Sequence, residues 1–352
     1  MRILHVLHSR GYGGAENHAL VLMKGQRAAG HEVMFAGLAD SWLGRACTEA
    51  GIGVLNVRMA GVYDLWSAWQ LRRHAARWRA DIVHGHLIRG ARYAGLAGHR
   101  QRRPLAVCTA HATTARTHMG GCAHIIAVSE AVRQAVIDAG YAPTSISTIW
   151  NGMPDGPTCP DRQALRAELG LDAQRFTWVN TGRFNSDKAQ DLLIDAWLAL
   201  PESTKDHMAL VLIGDASNDY GRALQARVAG DSRVRFLGYR HDVQRILPAF
   251  DAYALSSRRE ALGLSVIEAM AASLPVVAAR VGGVPEVVTE GQTGCLVEAD
   301  NAAALAAGMA RLQDTALARQ WGQAGRARFL AHFTDTGMVQ AILDLYARLL
   351  HR

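Results

Sequence analysis

Short apolar, β-branched segments alternate with longer helical patterns along the chain, and they do so in two runs separated by a break. In the first run "RILHVLH", "HEVMFAG", "GVLNV", "DIVHGH", "LAVCTAH", "HIIAVS" and "ISTIW" read as strands. Helices lie between them, such as "ENHALVLMKGQRAAG", closed by Gly30, and "EAVRQAVIDAG", closed by Gly140. Such alternation builds parallel sheets from βαβ units. The stretch 151–161, "NGMPDGPTCPD", carries three Pro and two Gly without apolar periodicity and reads as an interdomain linker. The pattern then restarts with "FTWVNTG", "ALVLIGD", "VRFLG", "AYALSS", "PVVAA" and "GCLVE". The expectation is an α/β chain of two doubly wound, Rossmann-like domains, 1–150 and 162–335, facing a central cleft. The last helix, 336–352, follows the second sheet and has an apolar face, so it is expected to cross back to the first domain.

A chain of 352 residues with 49% hydrophobic content can bury two cores. No run of about 18 apolar residues exists, and "MRILHVLHSR" is too short and too quickly polar for a signal peptide, so a cytoplasmic location is expected. The five cysteines, Cys47, Cys108, Cys122, Cys159 and Cys295, are scattered and read as free thiols. Fifteen histidines are present, but none forms H-x-x-x-H or H-E-x-x-H, so no histidine metal site is expected. Residues 1–150 hold 17 Lys/Arg against 8 Asp/Glu, and the remainder 21 against 23. The basicity belongs to the first half, which points to an anionic partner there.

"LHSRGYGGAEN", residues 7–17, looks like a phosphate-holding glycine loop before a helix that starts near Ala15. A dinucleotide loop would place a third glycine where Glu16 stands, and a P-loop would end in Gly-Lys-Ser/Thr. Both are absent, which removes a dehydrogenase from consideration.

The richest stretch is "SSRREALGLSVIEAMAASLPVVAARVGGVPEVV", residues 256–288. Glu260 sits on a loop after a strand, Gly263 permits close backbone approach, and a helix begins near Leu264 with Ser265 in its first turn. The free amides and dipole of such a terminus form an anion site, and Glu268 lies one turn in. Glu260 and Glu268 make an E-x7-E pair. With "GGAE", "AVSEAVR", "NG", "TGR…K" and "EGQTGCLV", this pattern resembles the large retaining nucleotide-sugar glycosyltransferase family, group 1 or family 4, with the GT-B fold.

The resemblance implies that Glu260 contacts hydroxyls of the donor sugar and Glu268 holds the nucleotide ribose. It implies that Arg183 and Lys188, in "NTGRFNSDKAQD" with Gly182, bind the donor diphosphate as charge builds there. The family commonly has a glycine after that lysine, where this chain has Ala189. Amides near Gly263, Leu264 and Ser265 would add to the diphosphate site, and the backbone of Arg240 in "YRHDV" would read the nucleobase, with UDP as the expected nucleotide. His111, ending "CTAH", would hydrogen-bond the donor sugar or steady positive charge in the transition state. Gly13 and Gly14 would complete the phosphate site from the first domain. The competing reading for Glu260 pairs it with Arg258 or Arg259 on a solvated loop.

No D-x-D occurs, so Arg183, Lys188 and the helix terminus would replace a divalent ion, and no metal or other cofactor is expected. The acceptor would be a saccharide, lipid-linked or of a lipopolysaccharide core, bound by the first domain. Residues 63–79, "YDLWSAWQLRRHAARWR", place Trp66, Trp69 and Trp78 beside Arg72, Arg73, Arg77 and Arg79. Such a helix either lies on an anionic membrane at the inner face or packs its tryptophans on a sheet. A second basic set is Arg89, Arg92, Arg100, Arg102 and Arg103. No nucleic-acid module accompanies this charge. Two alternatives stand beside the transferase: an epimerase of the same architecture, and a non-catalytic sugar-binding scaffold.

Overall fold

The computed structural model describes residues 1–115, 117–156 and 161–351. The chain forms two compact units, Met1–Pro154 joined by the chain from His332 onward, and Asp155–Ala331. The first crossing thus falls after Pro154, inside the stretch read as a linker, of which 157–160 lie outside the described residues. The return comes at His332, so 332–335 belong to the first unit and not to the end of the second. The reason is backbone pairing. The Met153 amide donates to the Phe333 carbonyl at 3.0 Å, and the Asp335 amide donates to the Met153 carbonyl at 2.9 Å.

The first unit is built on seven parallel strands: β1 Arg2–Val6, β2 Glu32–Gly37, β3 Gly53–Asn56, β4 Ile82–His86, β5 Leu105–Ala110, β6 His124–Ala127 and β7 Ile146–Thr148. Their order is β3-β2-β1-β4-β5-β6-β7. Every residue of β4 and β5 is buried, as expected of central parallel strands covered on both faces. The order reverses between β1 and β4, and in such sheets ligands bind beyond the carboxyl ends at that point. The first helix, Gly14–Ala28, begins one residue before Ala15, so Gly14 opens its first turn.

The C-terminal helix, Asp335–Leu350, is capped by the Thr334 hydroxyl, which accepts from the Gly337 amide at 3.3 Å. It packs Met338, Val339, Ile342 and Tyr346 against Ile3, Leu22, Ile82 and Val107 of the first unit. Gly25 makes room for it, because a Cβ there would stand 2.5 Å from Val339 Cγ2.

Helix Leu65–Trp78 is capped by Asp64, whose carboxylate accepts from the Ser67 amide at 3.0 Å. It buries Ser67, Ala68, Leu71 and Ala75. Trp66 and Trp69 do not pack on the sheet, being 70% and 48% exposed, with Tyr63 and Leu65 also exposed, whereas Trp78 is half-buried. The two indoles stack at 4.9 Å, and the Arg73 guanidinium lies 5.1 Å from the Trp69 ring centre. The second basic set is split. Arg89 and Arg92 ride on helix Leu87–Ala97, which leaves the carboxyl end of β4, whereas Arg100, Arg102 and Arg103 enter the amino end of β5. Arg103 is bound to Asp81 at 2.6 Å.

The second unit has six parallel strands: β8 Phe176–Thr181, β9 Met208–Ile213, β10 Val234–Phe236, β11 Ala252–Leu255, β12 Val276–Ala279 and β13 Gly294–Val297. Their order is β10-β9-β8-β11-β12-β13, around a core that includes Trp178, Trp197 and Trp321. Because β8 and β11 are neighbours, the loops "NTGRFNSDK" and "SSRREALG" leave adjacent strand ends. Among the described residues the cysteines are free thiols, and no helix is long and apolar enough to cross a membrane. Cys159 lies outside the described residues.

Candidate active site

In the second unit, the loop after β8 and the loop after β11 are tied together at many points. The Arg258 amide donates to the Asp187 carbonyl at 2.8 Å, and the Ser256 hydroxyl donates to the Lys188 carbonyl at 3.2 Å. The Arg258 guanidinium grips Asp191 at 2.9 Å and Asp300 at 2.5 Å. Arg259 points to Asp187 at 3.8 Å. Both arginines are therefore engaged elsewhere, and Glu260 is not their partner. It pairs with Lys188, Nζ to Oε1 at 2.6 Å, and the Ser257 hydroxyl donates to the same oxygen at 2.8 Å. The Glu260 side chain is only 9% exposed, so the pair is weakly screened. Its Oε2 accepts no protein hydrogen bond among the described residues, which leaves one carboxylate oxygen for a hydroxyl of another molecule.

Two glycines set this geometry. Gly214, at φ 153°, lies under the loop after β8, where a Cβ would stand 2.0 Å from the Gly182 carbonyl. Gly282, at φ 49°, comes so close to Glu260 that a Cβ would stand 1.8 Å from its carbonyl oxygen. The motif "VGGVPE" thus has a definite task, to let the Glu260 backbone pass. Its role is not assigned by sequence reasoning, although the motif itself is visible there.

Gly263 ends the loop in the left-handed region, φ 95°, ψ 58°, and caps helix Leu264–Ala271. The amides of Leu264 and Ser265 stand at this terminus, and the Ser265 hydroxyl has no regular hydrogen-bond partner. Glu268 lies one turn in, with its carboxyl pushed up to about 7 by desolvation and held back by the charge of Lys188. Arg183 is exposed and makes no ion pair among the described residues. On the loop after β10, the Arg240 guanidinium forks both oxygens of Asp242 at 2.8 Å, which fixes the backbone there. The neighbouring Tyr239 ring is 53% exposed.

The lysine is followed by Ala189 at φ 50°, ψ 43°, fully buried at the start of helix Gln190–Ala199. A left-handed residue is required at this position, which gives a physical reason for the glycine that the resemblance leads one to expect there.

In the first unit, Gly13 is extended (φ −169°), and a Cβ there would meet only Glu16 Oε2, at 3.1 Å. Gly14 is exposed. Packing within this unit does not demand a glycine at position 13. His111 follows β5 and places Nε2 3.2 Å from His86 Nδ1. His5 and His84, register partners on β1 and β4, and His18 on the first helix complete a row of five imidazoles. Desolvation lowers the pKa of all five, to about 4 for His5 and His18, so they are neutral at neutral pH. A neutral His111 offers a hydrogen bond and no formal positive charge. The local spacing of histidines leads one to expect no such cluster. The fold corrects that by bringing side chains from three strand ends and a helix together.

Residues 12–155 match the family described as Glycosyltransferase Family 4, and residues 175–315 the family described as Glycosyl transferases group 1. An alpha-maltose-1-phosphate synthase of Mycolicibacterium smegmatis is 30% identical, over 76% of this chain and 79% of its own length. A D-inositol 3-phosphate glycosyltransferase of a Mycobacterium species is 33% identical over 68% of this chain. The chain spans about half the length of that relative and of a glycosyltransferase EpsD of Bacillus subtilis, 56% and 50%. Among solved structures, HepE of Anabaena in complex with UDP-glucose is 25% identical, with 99% of this chain and 100% of that chain covered at a TM-score of 0.84. The chain belongs to the group 1 glycosyltransferase family and has its GT-B fold.

Replacing Ala189 by glycine relieves the left-handed strain and should stabilise the second unit by about 1 kcal/mol. Urea unfolding followed by Trp fluorescence checks this; a destabilised variant would show that the alanine is not strained. Glu268 gives a pH dependence. Its folded-state pKa lies above the unfolded value, so its contribution is fully present below about pH 4 and is lost as pH rises through about 7. Melting curves from pH 5 to 8 should therefore fall more steeply for the wild type than for Glu268→Gln. Parallel slopes would exclude the shift.

Proposed function

We propose that the protein transfers a sugar from a nucleoside diphosphate, UDP being the nucleotide, to a saccharide hydroxyl with retention at the anomeric carbon. The observation that carries this reading is the Lys188–Glu260 pair at 2.6 Å, held on the loop that leads directly into the glycine-capped helix at Gly263. A cation, a carboxylate and free helix amides are the groups a sugar diphosphate needs. The complex of HepE with UDP-glucose supports the choice of donor.

In this reading Lys188, Arg183 and the amides of Gly263 to Ser265 take the charge that develops on the diphosphate. Glu260 accepts from hydroxyls of the sugar, Glu268 from the ribose, and the backbone at Arg240 meets the base. The bond from the anomeric carbon to the phosphate oxygen breaks, and a bond to the acceptor oxygen forms on the same face. The departing phosphate oxygen takes the acceptor proton, so the products are glycoside and UDP and no protein base is needed. His111, Gly13 and Gly14 would meet the reacting end of the donor, as the resemblance implies. The neutral state of His111 suits a hydrogen bond to the sugar. Because the sequence has no D-x-D, charge compensation rests on protein groups, and transfer is independent of a divalent ion.

For the acceptor, the exposed Tyr63, Leu65, Trp66 and Trp69 beside Arg72 and Arg73 favour a lipid-linked saccharide presented at an anionic membrane, peripheral to its inner face.

Glu260→Ala should lower turnover of a UDP-sugar about 100-fold or more while UDP still binds, since Lys188 then loses its competing carboxylate. Calorimetry with UDP and a coupled transfer assay separate the two effects. Transfer near the wild-type rate would sink the assignment. Wild type should sediment with phosphatidylglycerol vesicles at low salt, and a Trp66→Ser, Trp69→Ser variant several-fold less. Equal sedimentation of both proteins removes the helix from the membrane reading.

A further inference from the structure

We propose that His18, His86 and His111 form a binding site for one divalent transition-metal ion of the zinc class. Their ligand nitrogens lie within 4.8 Å of one another. The His86 Nδ1 to His111 Nε2 separation of 3.2 Å is close to the edge, about 3.3 Å, of a tetrahedron with metal–nitrogen bonds of about 2.0 Å. Neutral imidazoles suit zinc, cobalt, nickel or copper, whereas magnesium seeks oxygen ligands that this cluster lacks.

Three further observations single out this group among the five histidines. First, His18 is buried and neither of its ring nitrogens makes a hydrogen bond of regular geometry, although Asn151 approaches it. A buried imidazole without partners costs free energy that a metal bond would offset. Second, the other candidate triad, His5, His84 and His86, has its nitrogens committed. His84 is bonded to Thr109 and Tyr346, and His5 to Gln26 and His86. Third, those commitments act as a relay. His5 Nε2 donates to Gln26 Oε1 at 2.7 Å, which leaves the His5 Nδ1 lone pair to accept from His86 Nε2 at 3.0 Å. His86 therefore presents its Nδ1 lone pair to the site, where it accepts from His111 Nε2 at 3.2 Å and where an ion would take the place of that proton. His111 is half-buried, and three nitrogens leave a fourth position for a water ligand.

The site does not depend on the transfer reaction. If that reaction holds, an ion on His111 withdraws the imidazole from the donor, and the metal acts as an inhibitor.

The test uses the full chain, stripped by chelation, with no nucleotide present. Co2+ should bind at one equivalent with the visible bands of a tetrahedral nitrogen site, and Zn2+ should displace it. His18→Gln should weaken binding at least 30-fold, and Gln26→Leu, which breaks the relay, about 10-fold. His207→Gln, an exposed control, should have no effect. Absence of the bands, or unchanged binding in His18→Gln, overturns the proposal and leaves only surface histidines. Should the buried variants fail to fold, 15N NMR of the wild-type imidazoles decides. Zn2+ must shift the rings of His18, His86 and His111, and shifts confined to exposed rings refute the site.

Discussion

The ion pair between Lys188 and Glu260 is the contact on which two loops of the second unit converge. It links loops from two neighbouring strands, and each loop is already pinned to the other by backbone and arginine contacts. The cost of ordering both side chains is thus met by packing that the fold makes anyway. The two charged groups are therefore held in place by the fold itself, and preorganisation of this kind is what electrostatic stabilisation requires. The pair also holds two opposite charges in balance, and a diphosphate would shift that balance toward itself by offering Lys188 a stronger partner.

The first unit shows a different solution. Its polar groups at the strand ends are mainly imidazoles kept neutral by burial, in a part of the molecule whose surface is strongly basic. Neutral rings add nothing to that positive field, and the tautomer of His5 is set by the Gln26 carbonyl oxygen, which can only accept. The C-terminal helix reaches into this row through Tyr346, so the last turns of the chain help to orient groups on the central strands.

Much of the architecture is legible in the sequence. The strands stand where short apolar runs occur, most plainly β4 and β5, which are buried on both faces and cannot hide their composition. The helix at Leu264 is legible from Gly263, since few other residues adopt its backbone angles. What is not legible depends on strand order. "HGH" at 84–86 shows two histidines on one face of a strand, but their meeting with His5 and His111 follows from β1 and β5 flanking β4. The basic set around Arg89 to Arg103 looks contiguous along the chain, yet a helix carries its two parts to opposite ends of the strands. The tryptophans of helix Leu65–Trp78 have a spacing that fits either face, and only the smaller Ser67, Ala68, Leu71 and Ala75 reveal which one is inside.

Gly282 has a consequence for how this chain can change. Its missing side chain is the mould in which the Glu260 backbone is cast, so the two positions constitute a single unit of variation although 21 residues separate them. Any substitution that moves the Glu260 loop must begin with space at 282. A library that varies only the side chains around Glu260 would sample them on a backbone that cannot shift.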